Sequence, residues 1–494
     1  MGLSIDRDQF DDIEYARFSE RLEHSLIALR RLLKLPGFGV GPMTVGAELE
    51  LFLVDQQGQA LPLNHEIRGA VGDPRVTLEL GRFNLELNLT PRVLAGRPLS
   101  AMGAEASAAV CIVDQAARVC GGRVVLVGIL PTLRPPDLTW EAISDSPRYR
   151  ALDNGLRRLR HEPFQIAING TDTLAFWTDD IALEAANTSW QVHLRVNPAD
   201  FARTYNAAQL ATAPVLAVAG NSPIFFGRRL WEETRIALFE QSADDRDELS
   251  RCRRLARVAF GSGWVREGAV ELFEEAVRLH EPVLPVVGGE HPLEVLEQGG
   301  IPCLDELRLH QSTVWRWNRA IYDPADGGHL RVELRALPAG PTVPDMLANA
   351  AFLLGLTLTL AEDSPAWSRV FGFRQAHRNF YCAAQQGLDA ALHWPLGRDG
   401  REEGMLAGDL VLRLLPDARR GLRTAGVADD EADELLRTIE ARVRTRQTGA
   451  AWQRKALAAL ERHMDRERAL AVMLARYREL AARQQPVHTW PVEG

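Results

Sequence analysis

With 494 residues, 46% of them hydrophobic, the chain is long enough for one to three domains with a sizeable core. Its net charge of -9, with no dominant basic stretch, argues against nucleic acid as the main partner. Five scattered cysteines (Cys111, Cys120, Cys252, Cys303, Cys382) include no CxxC pair, which argues against a disulfide framework and a structural zinc site. The acidic opening carries no apolar signal core, and the longest apolar run, 350–360, is too short to span a bilayer; a cytoplasmic protein without a membrane partner is expected.

In chain order, Phe18, Leu22, Leu26, Leu29 and Leu33 recur at helical spacing, so residues 1–40 are read as an N-terminal helical arm stopped by Pro36 and Gly37. Residues 43–54 alternate as a strand. Val45, Ala47, Leu49, Leu51 and Leu53 share one face, and Glu48, Glu50 and Phe52 the other. Taken alone, this stretch is as well explained by an edge strand with a solvated acidic face. A second strand, about 83–89, sets Asn84, Glu86 and Asn88 on one side, with Glu79 nearby. Residues 100–120 read as an Ala-rich helix packed on a sheet, and 134–163 as an excursion near a site. Residues 187–196 alternate again, with Gln191, His193 and Arg195 on one face. A lone strand histidine is more often a structural hydrogen-bonder than a ligand; its neighbours here improve the odds. The basic cluster in 246–257 reads as solvated surface, and 260–310 as strand-loop pieces broken by Pro and Gly. A fourth polar-faced strand, about 330–336, carries Arg331, Glu333 and Arg335. Residues 343–360 read as a helix, as do 375–392 and the stretch from 404 onward, including 429–447 and 452–484.

Four strands thus present carboxylate, amide, imidazole or guanidinium groups on one face. Carboxylate oxygens suit hard divalent cations, and arginine forks suit phosphate or carboxylate. Together they point to phosphoryl transfer, in which cations neutralise charge on the moving group. No GxxxxGK[ST] loop, no GxGxxG after a strand and no GxSxG elbow is present, so a nucleotide would be held by a sheet surface.

Several stretches resemble, in order, the glutamate–cysteine ligase type 2 (carboxylate–amine ligase) family. Gly46-Ala47-Glu48-Leu49-Glu50-Leu51 resembles its opening G-x-E-x-E strand, and residues 85–91 its second acidic strand. Residues 187–195 resemble its histidine-bearing strand, and 217–227 its ANSPF-x-x-G segment, with Arg235 in place of the downstream arginine. Arg331-Val332-Glu333-Leu334-Arg335 resembles its E-x-R strand, and 385–392 its GLDA segment. The resemblance covers roughly 40–395. It implies an α+β, glutamine synthetase-like catalytic domain over 41–395, a curved antiparallel sheet funnel flanked by helices, with a helical C-terminal region over 396–494.

The resemblance further implies ATP- and Mg2+-dependent formation of an amide through an acyl phosphate, with glutamate as acyl donor and an unidentified amine or peptide as acceptor. By position, Glu48, Glu50, Glu86, His193 and Glu333 would hold metal. Glu50, Arg235 and Arg335 would be catalytic, and Gln191, Arg195 and Arg331 would hold the cofactor. The chain departs from the usual bacterial pattern in carrying Gln191-Val192-His193 where His-Val-His is common, and in its helical tail, a candidate surface for self-association. Two other readings stand beside this one. A catalytically silent relative would serve as a nucleotide-binding or protein-interaction scaffold, and a guanidino-type phosphotransferase would need a reactive cysteine for which no local support is found.

Overall fold

The computed structural model describes residues 5–160, 162–247, 250–251, 254–396 and 401–492. Its centre is a seven-stranded antiparallel sheet that curls into a half-barrel. The strands are β1 (Thr44–Val54), β2 (Val76–Leu78), β3 (Asn84–Val93), β4 (Arg123–Val125), β5 (Trp190–Val196), β6 (Asn318–Asp323) and β7 (His329–Leu334), paired in the order β6-β7-β5-β1-β3-β2 with β4 also on β1. The α+β architecture with a curved antiparallel sheet expected from sequence is therefore present.

Strand alternation sorts the two faces. Val45, Leu49, Leu51 and Leu53 are fully buried on the convex face, which α2 (Pro98–Val119) and α3 (Phe201–Ala219) cover, with α4 (Val343–Glu362) packed against both helices. Burying each such side chain contributes roughly 1.5–3 kcal/mol, so a one-residue slip that turned the acids inward would be prohibitive. The concave face is left to the polar residues. Because β1 bonds to β3, β4 and β5, it is a central strand, and the edge-strand reading of Glu48 and Glu50 fails.

Four helices close the chain: α5 (Ala407–Ala425), α6 (Asp429–Thr445), α7 (Gly449–Leu460) and α8 (Arg466–Ala482). They share the core of the sheet domain. At the α4–α5 crossing, a Cβ on Gly355 would stand 2.2 Å from the Ala418 carbonyl oxygen, so only glycine permits this approach. Arg442 on α6 is buried against α4, with Nη2 2.9 Å from Asp345 Oδ1 and Nη1 donating to Asn349 Oδ1 at 2.6 Å. At the other terminus, Arg21 of α1 (Asp12–Leu32) pairs with buried Glu306 at 3.3 Å. Helix α4 has the length and hydropathy of a membrane span, yet 83% of its apolar window is buried in the protein.

Several local expectations are corrected. Residues 260–310 hold helices (Ala269–Leu279, Pro292–Glu297, Asp305–Gln311) and, among the described residues, no strand. The first shows helical spacing, with Ala269, Leu272, Phe273 and Ala276 buried. The helix expected over 375–392 ends at Gln386, and a hairpin, Ala391–Leu396 with Arg401–Leu406, precedes α5. The single run over 452–484 is broken into α7 and α8. In the basic cluster, Arg257 is fully buried against Asp245 at 2.8 Å rather than solvated; parts of that cluster, Cys252 among them, lie outside the described residues.

Candidate active site

Antiparallel register decides which polar groups meet. Glu50 of β1 stands opposite Glu86 of β3, Glu48 opposite Gln191 of β5, and His193 of β5 opposite Glu333 of β7. Two three-residue clusters result. In one, Glu48, His193 and Glu333 bring a ligand atom each to within 4.8 Å of one another; in the other, Glu50, Glu79 and Glu86 do the same. All five residues expected at metal are thus brought together, and Glu79, just past β2, joins them.

The first cluster is embedded among arginines. Arg319 donates to Glu333 through Nε (2.5 Å) and Nη2 (3.0 Å), and Arg335 Nη1 donates to Glu333 Oε1 at 3.1 Å. His193 Nε2 lies 3.1 Å from Glu48 Oε1 and 3.8 Å from Glu333 Oε1. Neither buried ring nitrogen has the alignment of a hydrogen bond. A buried imidazole aimed at two carboxylates without a hydrogen bond is the donor set expected of a divalent-cation site, and the residues fit one. Burial alone would raise the Glu48 and Glu333 carboxyls. The His193 ring outweighs it at Glu48, and Arg319 and Arg335 outweigh it at Glu333, so both lie below the usual carboxylate range.

The second cluster has no such balance. Among the described residues, no cation forms an ion pair with Glu50, Glu79 or Glu86. Glu86 accepts from Asn88 Nδ2 (2.8 Å) and Thr77 Oγ1 (3.0 Å), and Glu50 accepts from the Ser189 amide (2.7 Å) and Gln191 Nε2 (2.8 Å). Burial, then the Glu48 and Glu50 charges, push the Glu86 carboxyl up to about 8. Burial raises Glu50 against the opposing pull of Arg335 and Arg235, while burial and the Glu86 and Glu50 charges hold Glu79 well above its ordinary value. Like charges facing each other across strands are destabilising unless protonated or met by a cation. Three carboxylates in this setting form an all-oxygen set suited to magnesium.

Gln191 joins the clusters: its amide nitrogen donates to Glu50, and its carbonyl accepts from Arg335 Nη1 at 2.5 Å. This orientation satisfies both ends of the amide. Arg335 therefore touches the bridge and Glu333 together. Arg235 lines the same pocket, but its Nε donates to Glu233 (2.7 Å) and its Nη2 to the Ala336 carbonyl (2.7 Å). The remaining two expected residues diverge. Arg331 pairs with Asp323 at 3.0 Å and lines a cleft of about 530 Å³ with Arg148, Arg308 and Arg319. Arg195 points at Gly41 and lines a separate cleft with Asn197 and Arg203.

Three residues that sequence reasoning did not single out complete the surroundings. Glu184 lines the Glu50 pocket beside Phe239 and Trp317, its carboxyl raised to about 7 by burial and then by Glu50, against Arg335. It sits in a short 3-10 turn (Ala182–Ala186), where no alternation marks it. Arg319 follows strand alternation in β6 and was detectable on that ground. Arg148 donates to the Ser312 hydroxyl at 2.9 Å from the helix Pro147–Leu159, inside the stretch expected near a site. Gly81 also lines the pocket, and a Cβ there would meet Asn84 Oδ1 at 2.3 Å and the Ala185 Cβ at 2.9 Å.

The sequence matches glutamate-cysteine ligase family 2 (GCS2) over residues 44–474, well past the 395 reached by its motifs. No match to the curated proteins was found. The fold is similar to Francisella tularensis glutamate–cysteine ligase in complex with AMP, with TM-score 0.57 and 11% identity over 92% of this chain and 91% of that one. It is also similar to a bifunctional glutathione synthetase from Pasteurella multocida, with TM-score 0.50 and 11% identity over 95% of this chain and 55% of that one. At such identities the likenesses speak for the fold, whereas the family match spans most of the sequence. The chain belongs to glutamate-cysteine ligase family 2 and is a carboxylate–amine ligase.

Proposed function

We propose that the protein uses ATP and Mg2+ to join glutamate, through its side-chain carboxylate, to a small amine. The observation that carries this reading is the pair of three-residue clusters on one sheet face, bridged by Gln191 and Arg335. Glu48, His193 and Glu333 would hold one divalent ion, and Glu50, Glu79 and Glu86 a second. The ions would supply charge neutralisation for the phosphates. A carboxylate oxygen of glutamate attacks the γ-phosphorus of ATP, the bond to the bridging oxygen breaks, and ADP leaves. The amine nitrogen then attacks the acyl carbon, the carbon–oxygen bond to phosphate breaks, and the amine loses a proton.

This chain's own groups divide the work. Arg335, tied to Gln191 and Glu333, presents its guanidinium to the transferred phosphoryl group in a fixed orientation, where preorganised charge is most effective. Arg235 contributes positive potential from the pocket wall. Arg331, with Arg148, Arg308 and Arg319, forms the cationic side of the neighbouring cleft and suits the polyphosphate. Glu184 faces the acceptor, where a carboxylate both attracts an ammonium group and takes its proton.

The test is phosphate release from ATP and Mg2+ with glutamate and a panel of amines, together with product mass. Amine-dependent phosphate release with a new amide is expected. ATP and Mg2+ binding without turnover across the panel would overturn the assigned substrates; no nucleotide binding at all would favour the scaffold reading.

A further inference from the structure

Helix α2, strand β4 and helix α8 enclose a cleft of about 630 Å³, and none of its lining residues belongs to the acidic pocket. That volume is in the range of small-molecule sites. Its lining combines apolar Val110, Val124, Leu126, Val343 and Ala481 with the charged Arg118, Arg123 and Arg478. Their charges are unevenly matched. Asp114 is shared between Arg118 (2.8 Å) and Arg123 (3.3 Å), and also accepts the Val124 amide at 3.0 Å. Glu479 pairs with Arg483 at 2.7 Å. Half-buried Arg478 makes no hydrogen bond and no ion pair among the described residues. Burial and then the Arg123 charge pull its guanidinium below the ordinary value. Asp114 and Asp55 oppose that pull without touching the group, and a guanidinium partly withdrawn from water with no carboxylate in contact is costly, so an anion would relieve that cost.

The wall is also preformed. Tyr477, next to Arg478 on α8, donates its hydroxyl to the Leu126 carbonyl at 2.7 Å and accepts from Asn221 Nδ2 at 2.9 Å. These buried bonds hold α8 against the segment following β4, so a ligand would not have to order the site.

We propose that this cleft is a second ligand site, taking a small molecule with an apolar body and one anionic head, a carboxylate or a phosphate monoester. The head lies on the Arg478 and Arg123 forks and the body along Val124, Leu126 and Val343.

The test is calorimetry on the full chain with octanoate and octyl phosphate, and with octanol as the uncharged probe, on the native protein, Arg478→Ala and Glu50→Ala. Alkylation of Cys111, which lines the cleft, is followed by peptide mass in parallel. At least one anion should bind more tightly than octanol, and which one binds identifies the head group. Arg478→Ala should weaken it tenfold or more at a melting temperature that holds or rises, and Glu50→Ala should leave it intact. The bound anion should slow Cys111 alkylation in the native protein and not in Arg478→Ala. The proposal is overturned if neither anion binds at about 1 mM. Octanol binding as tightly as the anions, an unaffected Arg478→Ala, or loss of binding in Glu50→Ala would each overturn it too.

Discussion

The two acidic clusters share one sheet face and differ in how their charge is balanced. Around Glu48, His193 and Glu333 the protein supplies its own cations, Arg319 and Arg335, and the acids sit below their ordinary pKa. Around Glu50, Glu79 and Glu86 it supplies hydrogen-bond donors and no ion pair, and the acids are raised. The first cluster is thus electrostatically complete before any ion arrives, apart from an imidazole whose nitrogens have no hydrogen bond. The second stores unfavourable charge that protons relieve at neutral pH and that a divalent ion would relieve better.

The comparison is broken or sharpened by four changes. The largest effect is expected from Glu50→Ala, which removes the acid nearest the Gln191–Arg335 bridge. Turnover should fall on the order of 10³-fold while the melting temperature of the metal-free protein holds or rises. Full turnover in a phosphate-release assay would remove the second cluster from catalysis. Next is Glu333→Ala, which leaves Arg319 and Arg335 buried without their carboxylate. It should destabilise the fold by about 3–5 kcal/mol in denaturant titration, and a smaller loss than in Glu50→Ala would deny that the first cluster is self-balanced.

The third change is pH. In the metal-free protein the folded Glu86 carboxyl titrates near 8, above its unfolded value, so the stability its proton contributes is present at low pH and is lost as pH rises toward 8. Melting temperatures should therefore decline between pH 6.5 and 8 without metal. Magnesium should reverse the decline, and its apparent affinity should weaken by up to about tenfold per unit as pH falls through that window, with proton release on binding. A flat profile would show that Glu86 is not raised. The smallest effect is expected for Glu86→Gln, which keeps the hydrogen bonds and removes one like charge. It should stabilise the metal-free fold by about 1 kcal/mol in denaturant titration and weaken magnesium binding; destabilisation would contradict the charge balance described above.

Much of this site was legible from alternation. Glu48 and Glu50, Glu86, Gln191 and His193, and Arg331 and Glu333 each declare a face because a strand repeats every two residues and the opposite positions are apolar. What could not be read was partnership. Arg195 and Arg331 stand opposite each other in register, yet their side chains serve different clefts, Arg195 lying against Gly41 and Arg331 pairing with Asp323. Glu184 lies in an aperiodic turn. The short helices in 260–310 escaped because proline and glycine between them resemble the punctuation of strands.

By itself, the sequence determined the polar and apolar faces of the strands, the helix-rich C-terminal region and the order of motifs that places the chain in its family, all carried by local periodicity and spacing. Only the tertiary structure decided that β1 is central rather than an edge, that Glu79 joins Glu50 and Glu86, and that Arg319 and Arg335 pair directly with Glu333. Those outcomes depend on which strands pair and in what register. Such pairing is set by packing between residues far apart in the chain, which no local pattern records.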